Sequence, residues 1–293
     1  MFYNFIKNNM TKNLFTALFA LLLCNYSFGE SPDARGIVNS MLTAVKNAKG
    51  YTYTMQGTER ILGKTTNRVT VVYTKVNISP RKIFARVMND PNKGTEMLYA
   101  HGEREGKILV KAGWVPALKL SPFSSLLMKE QHHCLLSSGF SFFYKNISEG
   151  IKRADAQSGF DQVFNIEGEV DFDGRKCYKL VIEDPTYKTI DYVGQKGDSP
   201  YSLSQKLLIP EYTIQDANGI KNIDDNLEGK KLKIVTSYAQ KSVVYIDKQN
   251  YFPIYQEMWD NKGVFEKYEF KDLKVNPAYA SDEFSSEFSG YNF

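Results

Sequence analysis

Residues 242–270 read SVVYIDKQNYFPIYQEMWDNKGVFEKYEF, and this stretch decides the fold. It holds three runs of β-branched and aromatic residues, at 242–246, 253–259 and 264–270. Such runs are typical of strands. Asn261-Lys262-Gly263 supplies a tight turn between the last two. The stretch therefore predicts three consecutive antiparallel strands.

Similar runs extend this pattern outward in both directions. Strand signals occur at 51–56, 69–73, 83–87, 96–99, 107–110, 163–166 and 177–182. Asp173-Gly174 is a strong two-residue hairpin signal between the last two of these runs. About ten strands joined by short turns predict a meander that curves into a partial barrel. We expect a mainly β (α+β) fold, a curved antiparallel half-barrel sheet.

Two segments have helical rather than strand character. Residues 31–49 carry apolar residues at helical spacing, with Ser31 as cap, Pro32 at the first position and Gly50 at the end. Residues 118–158 break the strand rhythm and are interpreted as helices that cross one face. A curved sheet must have its concave face filled by side chains, a helix or a ligand. These helices are the predicted lid.

Composition and charge exclude several classes of protein. The 293 residues carry 37 Lys+Arg against 33 Asp+Glu, a formal charge of +4, which is too small for a polybasic nucleic-acid binder. Hydrophobic residues make up 42% and charged residues 24%, which excludes a disordered chain. We expect no nucleic-acid partner.

The N-terminal segment has the features of an export signal. Lys7 and Lys12 precede the uncharged apolar run 14–24, which is too short to span a bilayer. Ser27 and Gly29 fit the small-x-small pattern for cleavage, so residues 1–29 are predicted to be a signal peptide. The alternative is a lipoprotein signal acylated at Cys24. No second long apolar stretch follows, and we expect an exported protein of the periplasm or cell envelope.

Residues 187–236 interrupt the strand rhythm. A strand, a turn at Gly197-Asp198, a helix capped by Ser199, a second helix opened by Pro210 and a closing strand give the order βααβ. This segment resembles the lysin-motif (LysM) module. The matching residues are Lys196, Gly197, Asp198, Ser199, Tyr201, Ser202, Leu203, Ile209, Ile214, Asn218, Gly229, Leu232, Lys233 and Ile234.

The LysM resemblance implies binding of peptidoglycan or a related N-acetylated glycan between two loops. Carried onto this sequence, the groove residues are Gly197, Asp198, Ser199, Pro200 and Tyr201 in one loop and Gly219, Ile220, Lys221 and Asn222 in the other. The alternative is an insertion that kept the fold and lost the sugar.

The segments on either side look like one domain, residues 30–186 and 237–293. The order of Tyr245-Ile246-Asp247, Phe252-Pro253-Ile254, residues 260–263 and residues 270–277 is similar to the C-terminal part of the LolA-like lipoprotein-carrier superfamily. Residues 131–133, Gly139-Phe140 and the final Tyr291-Asn292-Phe293 resemble an uncharacterised exported family within it. The resemblance implies an apolar interior that accepts acyl chains of a lipid or lipoprotein.

His132 and His133 are the most chemically suggestive pair. Adjacent residues point in different directions, so they rarely bind one metal, and no His-Glu-x-x-His motif is present. We predict no metal or cofactor and a hydrogen-bonded role in the helical lid. Cys134 and Cys177 could form a disulfide in an exported protein or stay as two buried thiols.

Three functions remain open at this point. The leading hypothesis is a non-catalytic envelope protein with an apolar-ligand cavity and a glycan-binding module. The second is a cell-envelope hydrolase with His132 or His133 as base. The third is a structural assembly component whose interior is filled by its own side chains. An open apolar cavity favours the first over the third.

Overall fold

A computed structural model describes residues 33–293. The predicted signal peptide 1–29, the alternative lipid site Cys24 and the predicted cap Ser31-Pro32 lie outside the described residues. Residues Ala34–Phe293 form one compact unit.

The described chain is mainly β, with thirteen strands and six α-helices. The helices are α1 (Ala34–Asn47), α2 (Ser125–Met128), α3 (Ser141–Gln157), α4 (Phe160–Val163), α5 (Pro200–Leu207) and α6 (Glu211–Asn218). The first strands are β1 (Gly50–Arg60), β2 (Asn67–Asn77), β3 (Lys82–Val87), β4 (Glu96–Ala100), β5 (Ile108–Lys111) and β6 (Leu118–Leu120). The others are β7 (Phe164–Phe172), β8 (Arg175–Glu183), β9 (Thr189–Val193), β10 (Lys231–Val235), β11 (Lys241–Asp247), β12 (Pro253–Asp260) and β13 (Gly263–Val275).

Eleven strands form one antiparallel sheet in the order β6-β5-β4-β3-β2-β1-β13-β12-β11-β8-β7. Among the described strands, β6 and β7 each have one partner, so the curved sheet stays open as a half-barrel. The fold class predicted from the sequence is confirmed. The simple meander is only partly right, because β1 pairs with β13 and β8 with β11 across long stretches of chain.

Turn chemistry sets the register at the predicted hairpin. Asp173 and Gly174 both have positive φ, 51° and 73°, which is the backbone that a two-residue β-turn between twisted strands requires. In the middle of the sheet, Gly50 does not end the helix but opens β1. A Cβ there would lie 2.7 Å from the Val76 carbonyl oxygen, so only glycine allows β1 and β2 to approach this closely.

The helices α1, α3 and α4 cover one end of the sheet. Val38 and Met41 of α1 are fully buried against Ile147 and Ala154 of α3 and against strands β7, β8 and β11. The prediction of helices within 118–158 is right for α2, for a short 3₁₀ helix at Leu135–Ser137 and for α3, and wrong for two parts of the segment. Residues 118–120 form edge strand β6, since they pair with β5, and His132-His133 lie in a non-helical loop.

Residues 189–235 show the predicted order of strand, helix, helix and strand. β9 and β10 pair antiparallel as a separate two-stranded sheet. The hydroxyl of Ser199 accepts a hydrogen bond from the Ser202 amide in a reciprocal cap, and Gly219 ends α6 in the left-handed conformation. The strands on either side pair directly, Glu183 opposite Lys241.

The C-terminal segment covers the opposite face of β2, β3 and β4. The ring of Tyr291 stacks on that of Phe84 at 3.7 Å. The fully buried carboxylate of Glu96 accepts hydrogen bonds from the backbone and side-chain nitrogens of Asn292, at 2.7 and 2.8 Å, and from Arg86. Both faces of this part of the sheet are therefore buried.

Within residues 33–293, no helix combines the length and the apolar character needed to cross a membrane.

Replacing Tyr291 with Ala should lower the free energy of unfolding by about 3 kcal/mol, because the ring covers Phe84 and leaves a hole when removed. Tyr291→Phe keeps the stack and loses only the 2.6 Å hydrogen bond to the Glu283 carbonyl, so it should cost about 1 kcal/mol. Urea unfolding of both variants checks this. Equal losses would show that the ring contributes nothing.

Candidate functional site

A cavity of about 240 Å³ lies between the inner face of the sheet, the lid helix α3 and the loop 127–139. Its walls are mostly apolar. The sheet contributes Tyr53, Met55, Val72, Ala85, Met97, Val244, Met258 and Phe270, and the lid contributes Phe142, Phe143, Ile147 and Ala154.

Strand periodicity explains which side chains face the cavity. Side chains at alternate positions of a strand share one face. On β1 the inward positions therefore include Tyr53, Met55 and Glu59, and all three line the cavity. Phe84 and Leu98, on the opposite face of their strands, pack instead beneath the C-terminal segment.

The loop 131–139 is held over the cavity by hydrogen bonds to the sheet. Arg81 Nη2 donates to the carbonyls of Leu136 and Ser138, at 2.8 and 2.5 Å. The Gly139 amide donates to the Tyr53 hydroxyl at 3.0 Å. A side chain at Gly139, whose φ is 87°, would be strained and would press on the Tyr51 ring.

His132 is buried and fully hydrogen-bonded next to His133, which lines the cavity. Its Nδ1 lies 2.7 Å from Glu266 Oε1, and its Nε2 lies 2.7 Å from the Arg60 carbonyl oxygen. Both partners can only accept, so both ring nitrogens must carry protons. Burial by itself would lower the pKa of His132, but the charges of Glu59 and Glu266 and these hydrogen bonds raise it above 6.5.

The carboxylate of Glu266, on β13, is the centre of this cluster. It is fully buried and also accepts a 2.6 Å hydrogen bond from the Tyr238 hydroxyl. His133 Nε2 lies 3.3 Å away. Burial would raise the pKa of Glu266, but the charges of His133 and His132 and their hydrogen bonds hold it far below 4.5.

His133 lies between two buried carboxyl groups and lines the cavity. Its Nδ1 is 3.1 Å from Glu211 Oε2, on helix α6, although the angle does not allow a hydrogen bond. Both oxygens of Glu211 are buried without a hydrogen-bond partner among the described residues. Burial opposes the charge, but Glu266 and Glu211 together raise the pKa of His133 well above 6.5.

Glu59 adds a further polar group to the cavity lining. Its carboxylate accepts hydrogen bonds from the Tyr268 hydroxyl at 2.6 Å and from the His132 amide at 3.1 Å. We define Glu59, His132, His133, Glu211, Tyr238, Glu266 and Tyr268 as the His–Glu cluster.

The geometry corrects two expectations about the histidine pair. The two residues lie on a loop rather than a helix, and although adjacent they converge on one carboxylate, because the loop turns between them. Within residues 33–293, no group of three or more His, Cys, Asp or Glu side chains has the arrangement of a metal site. Since His132 has no free nitrogen, it has no position that could accept a substrate proton.

The cavity wall also carries Arg153, on helix α3. Its Nη1 donates to the Thr236 carbonyl at 3.2 Å, and its buried Nε has no hydrogen-bond partner in the described chain. Asp184 is nearby. Burial opposes its ionisation, but hydrogen bonds from Thr186 and the charge of Arg153 hold the pKa of Asp184 below its usual value.

Cys134 and Cys177 are both buried free thiols. Cys134 lines the cavity, whereas Cys177 lies on β8. Of the two alternatives, the structure therefore has two buried thiols and no disulfide between Cys134 and Cys177. Burial and the Glu211 carboxyl raise the pKa of Cys134 above 9.0, so this thiol is a poor nucleophile.

The predicted glycan loops lie next to each other in the structure. The Tyr201 amide donates to the Ile223 carbonyl at 2.8 Å, and the Leu227 amide to the Asp198 carbonyl at 2.9 Å. Gly197, Gly219, Lys221 and Asn222 are exposed.

Other residues of these loops have structural contacts. The Asp198 carboxylate is buried and accepts hydrogen bonds from the Tyr192 hydroxyl and the Gln195 amide, at 2.7 and 2.8 Å. Ile220 belongs to the small core of the βααβ unit, residues 189–235. Pro200 is buried at the start of α5, and Tyr201 packs against Phe123 with ring centroids 4.7 Å apart.

Sequence analysis missed all three glutamates of the His–Glu cluster. A signal was present for two of them. Glu59 and Glu266 occupy the inward positions of strands, in register with Met55 and Phe270, where an apolar residue is the rule. Glu211 has no such signal, because its burial depends on how α6 packs against the sheet.

His132→Gln should lower the free energy of unfolding by about 3 kcal/mol, because it removes one of the two charged imidazoles that compensate the buried carboxylate of Glu266. The raised pKa of His132 stabilises the fold fully below pH 6.5, and this contribution is lost as the pH rises through the folded-state value. We therefore expect wild-type stability to fall as the pH rises above 6.5, and to fall less in the variant.

Urea unfolding at several pH values measures both effects. The matched control is His101→Gln, since His101 is exposed. Identical pH profiles for wild type and His132→Gln would contradict the assignment of a charged His132.

No curated protein matches the sequence. One similar solved structure is MucB, with 11% identity over 87% of this chain and 62% of MucB and a TM-score of 0.41. A second is LprF from Mycobacterium bovis, with 13% identity over 87% of this chain and 98% of LprF and a TM-score of 0.41. A third is a LolA superfamily protein from Nitrosomonas europaea, with 10% identity over 86% of this chain and 97% of that protein and a TM-score of 0.29. The chain thus spans less than two thirds of MucB.

One family profile matches residues 48–196, about half of the chain. The matched part includes β1, the lid helix α3 and most of the residues that line the cavity. Its description is a protein of unknown function, DUF1571. The chain therefore belongs to the DUF1571 family.

Proposed function

We propose that this protein is a non-catalytic binding protein that holds the apolar chain of a lipid or lipoprotein in the cavity beneath helix α3. The cavity is the observation that carries the proposal. A volume of about 240 Å³ exceeds the ~150 Å³ of an apolar cavity that accepts benzene.

The lining supports an amphiphile rather than a purely apolar ligand. Methionines and phenylalanines make up much of the lining, and His133, Glu59 and Arg153 add a few polar groups to it. Sites of this kind take their affinity from apolar walls and their orientation from a few polar groups. An acyl chain with a polar head matches this distribution.

The two rival functions are less well supported. A structural component with a filled interior does not account for the open cavity. A hydrolase with His132 or His133 as base needs that base beside a nucleophile. The nitrogens of His132 are both hydrogen-bonded, Glu266 and Glu211 raise the pKa of His133 and favour its protonated form, and Cys134 has a raised pKa. We further propose that the protein acts after export, in the periplasm or cell envelope, where acylated ligands and glycans are both present.

Ala85→Phe should weaken binding of a fluorescent fatty acid by roughly tenfold, because the new ring fills space that the acyl chain needs. Ala85 is buried and faces the cavity from β3. Displacement of the bound fluorophore measures the affinity, and native mass spectrometry reports any lipid that co-purifies.

Val69→Phe is the matched control, since it adds a ring at an exposed position of β2. The control should bind as the wild type does. Equal binding by Ala85→Phe would place the lipid elsewhere, and absence of any lipid bound to the wild type would remove the proposal.

A second candidate function is peptidoglycan binding by the βααβ unit. The observation that favours it is the contact between the two predicted loops, which the Tyr201–Ile223 backbone hydrogen bond brings together. Gly219, Lys221 and Asn222 leave exposed groups beside it. A single small module of this kind should bind weakly.

The double variant Lys221→Ala, Asn222→Ala should reduce co-sedimentation with purified peptidoglycan by roughly fivefold, because it removes polar groups that would contact the sugar. Both positions are exposed, so the fold should be intact. Lys230→Ala, Lys231→Ala on exposed positions of the same unit is the control. Unchanged sedimentation of the first variant would remove the glycan-binding hypothesis for these loops.

A further inference from the structure

The hairpin between β5 and β6 ends in an exposed apolar tip. The residues that join the strands are Ala112, Gly113, Trp114, Val115, Pro116 and Ala117, none of which carries a charge. Trp114 has 92% of its surface exposed, and Val115 has 39%. We call residues 112–117 the hairpin tip.

Exposure of a tryptophan to this degree is unusual, because its ring is among the largest apolar surfaces that a chain can bury. Two further apolar side chains follow within the same segment, Leu118 with 49% and Leu126 with 74% exposed. Isolated exposed apolar residues are normal, but an exposed run such as Trp114, Val115 and Leu118 at one hairpin marks a surface that contacts something.

Lysines flank the hairpin tip on both strands. Lys111 ends β5 and Lys119 lies in β6, opposite Leu109. The Nζ of Lys111 donates to the Val115 carbonyl at 2.9 Å. In the described chain, neither lysine has a carboxylate within ion-pair distance. Glu96, which lies opposite Lys111 in the sheet register, pairs with Arg86, and Glu105 pairs with Lys107.

We propose that the hairpin tip inserts into the surface of an anionic lipid bilayer, with Trp114 among the headgroups and Lys111 and Lys119 against the lipid phosphates. Tryptophan favours the boundary between water and acyl chains. Each lysine near an anionic membrane strengthens binding by roughly fivefold.

The size of the surface favours a membrane over a protein partner. A stable protein interface buries roughly 800 Å² on each side, and a six-residue tip at the edge of a sheet offers much less. A narrow apolar tip surrounded by positive charge suits shallow insertion. The proposal does not depend on what fills the cavity.

Single-tryptophan fluorescence tests the insertion directly. The chain has two tryptophans, so Trp259→Phe leaves Trp114 as the only indole. With vesicles of phosphatidylcholine and phosphatidylglycerol in equal amounts, we expect a blue shift of Trp114 emission and quenching by brominated acyl chains. Phosphatidylcholine alone should give a much smaller shift.

Vesicle flotation of the otherwise native chain measures the binding. Trp114→Ser should reduce it roughly tenfold, since the apolar contact is lost. Lys111→Glu and Lys119→Glu should each reduce it by about fivefold or more, and added salt should have a similar effect. Val69→Ser is the control, because Val69 is an exposed apolar residue of another strand.

Trp114 contributes nothing to the core, so its variants should unfold at the wild-type urea concentration. Unchanged Trp114 emission with both vesicle types would overturn the proposal and leave a protein surface as the occupant. Equal flotation of Trp114→Ser and wild type would also overturn it.

Discussion

The Glu266 carboxylate is the interaction on which the arrangement of the whole interior depends. It extends from the sheet and contacts both histidines of the loop 131–139. It also contacts the hydroxyl of Tyr238, a residue that follows the βααβ unit. A buried carboxylate is stable only while its partners stay in place, because the cost of removing it from water is otherwise several kcal/mol. The cluster therefore holds three separate segments of chain in one position and forms part of the cavity wall.

The βααβ unit packs more closely against the sheet than a module joined by a flexible linker would. Tyr212 of α6 stacks on the His132 ring at 4.1 Å and belongs to the core of the main sheet. Glu211, its neighbour, lies beside His133. One helix of the unit thus forms part of the support for the cavity, while the small core around Leu203 and Ile214 belongs to the unit itself.

Much of the fold could be predicted from local patterns, and the interior could not. The runs in 242–270 predict their strands because β-branched and aromatic residues and turn residues alternate at short range. The caps at Ser199 and Gly219 are equally local. By contrast, the pairing of β1 with β13 and the burial of Glu211 depend on contacts between residues far apart in the chain, for which the sequence carries no periodic signal. For the same reason, the sequence drew attention to His133 but not to Glu211, one of the two carboxyl groups that raise its pKa.

The direct pairing of β8 with β11 has a consequence for how the protein folds. The Asp184 amide donates to the Gln240 carbonyl at 3.0 Å, so the chain leaves and re-enters the sheet at the same point. The entropy cost of closing such a loop grows only with the logarithm of its length. The large sheet can therefore form before residues 189–235 are ordered. The His–Glu cluster, which includes Glu211 of α6, is complete only when this segment packs against the sheet.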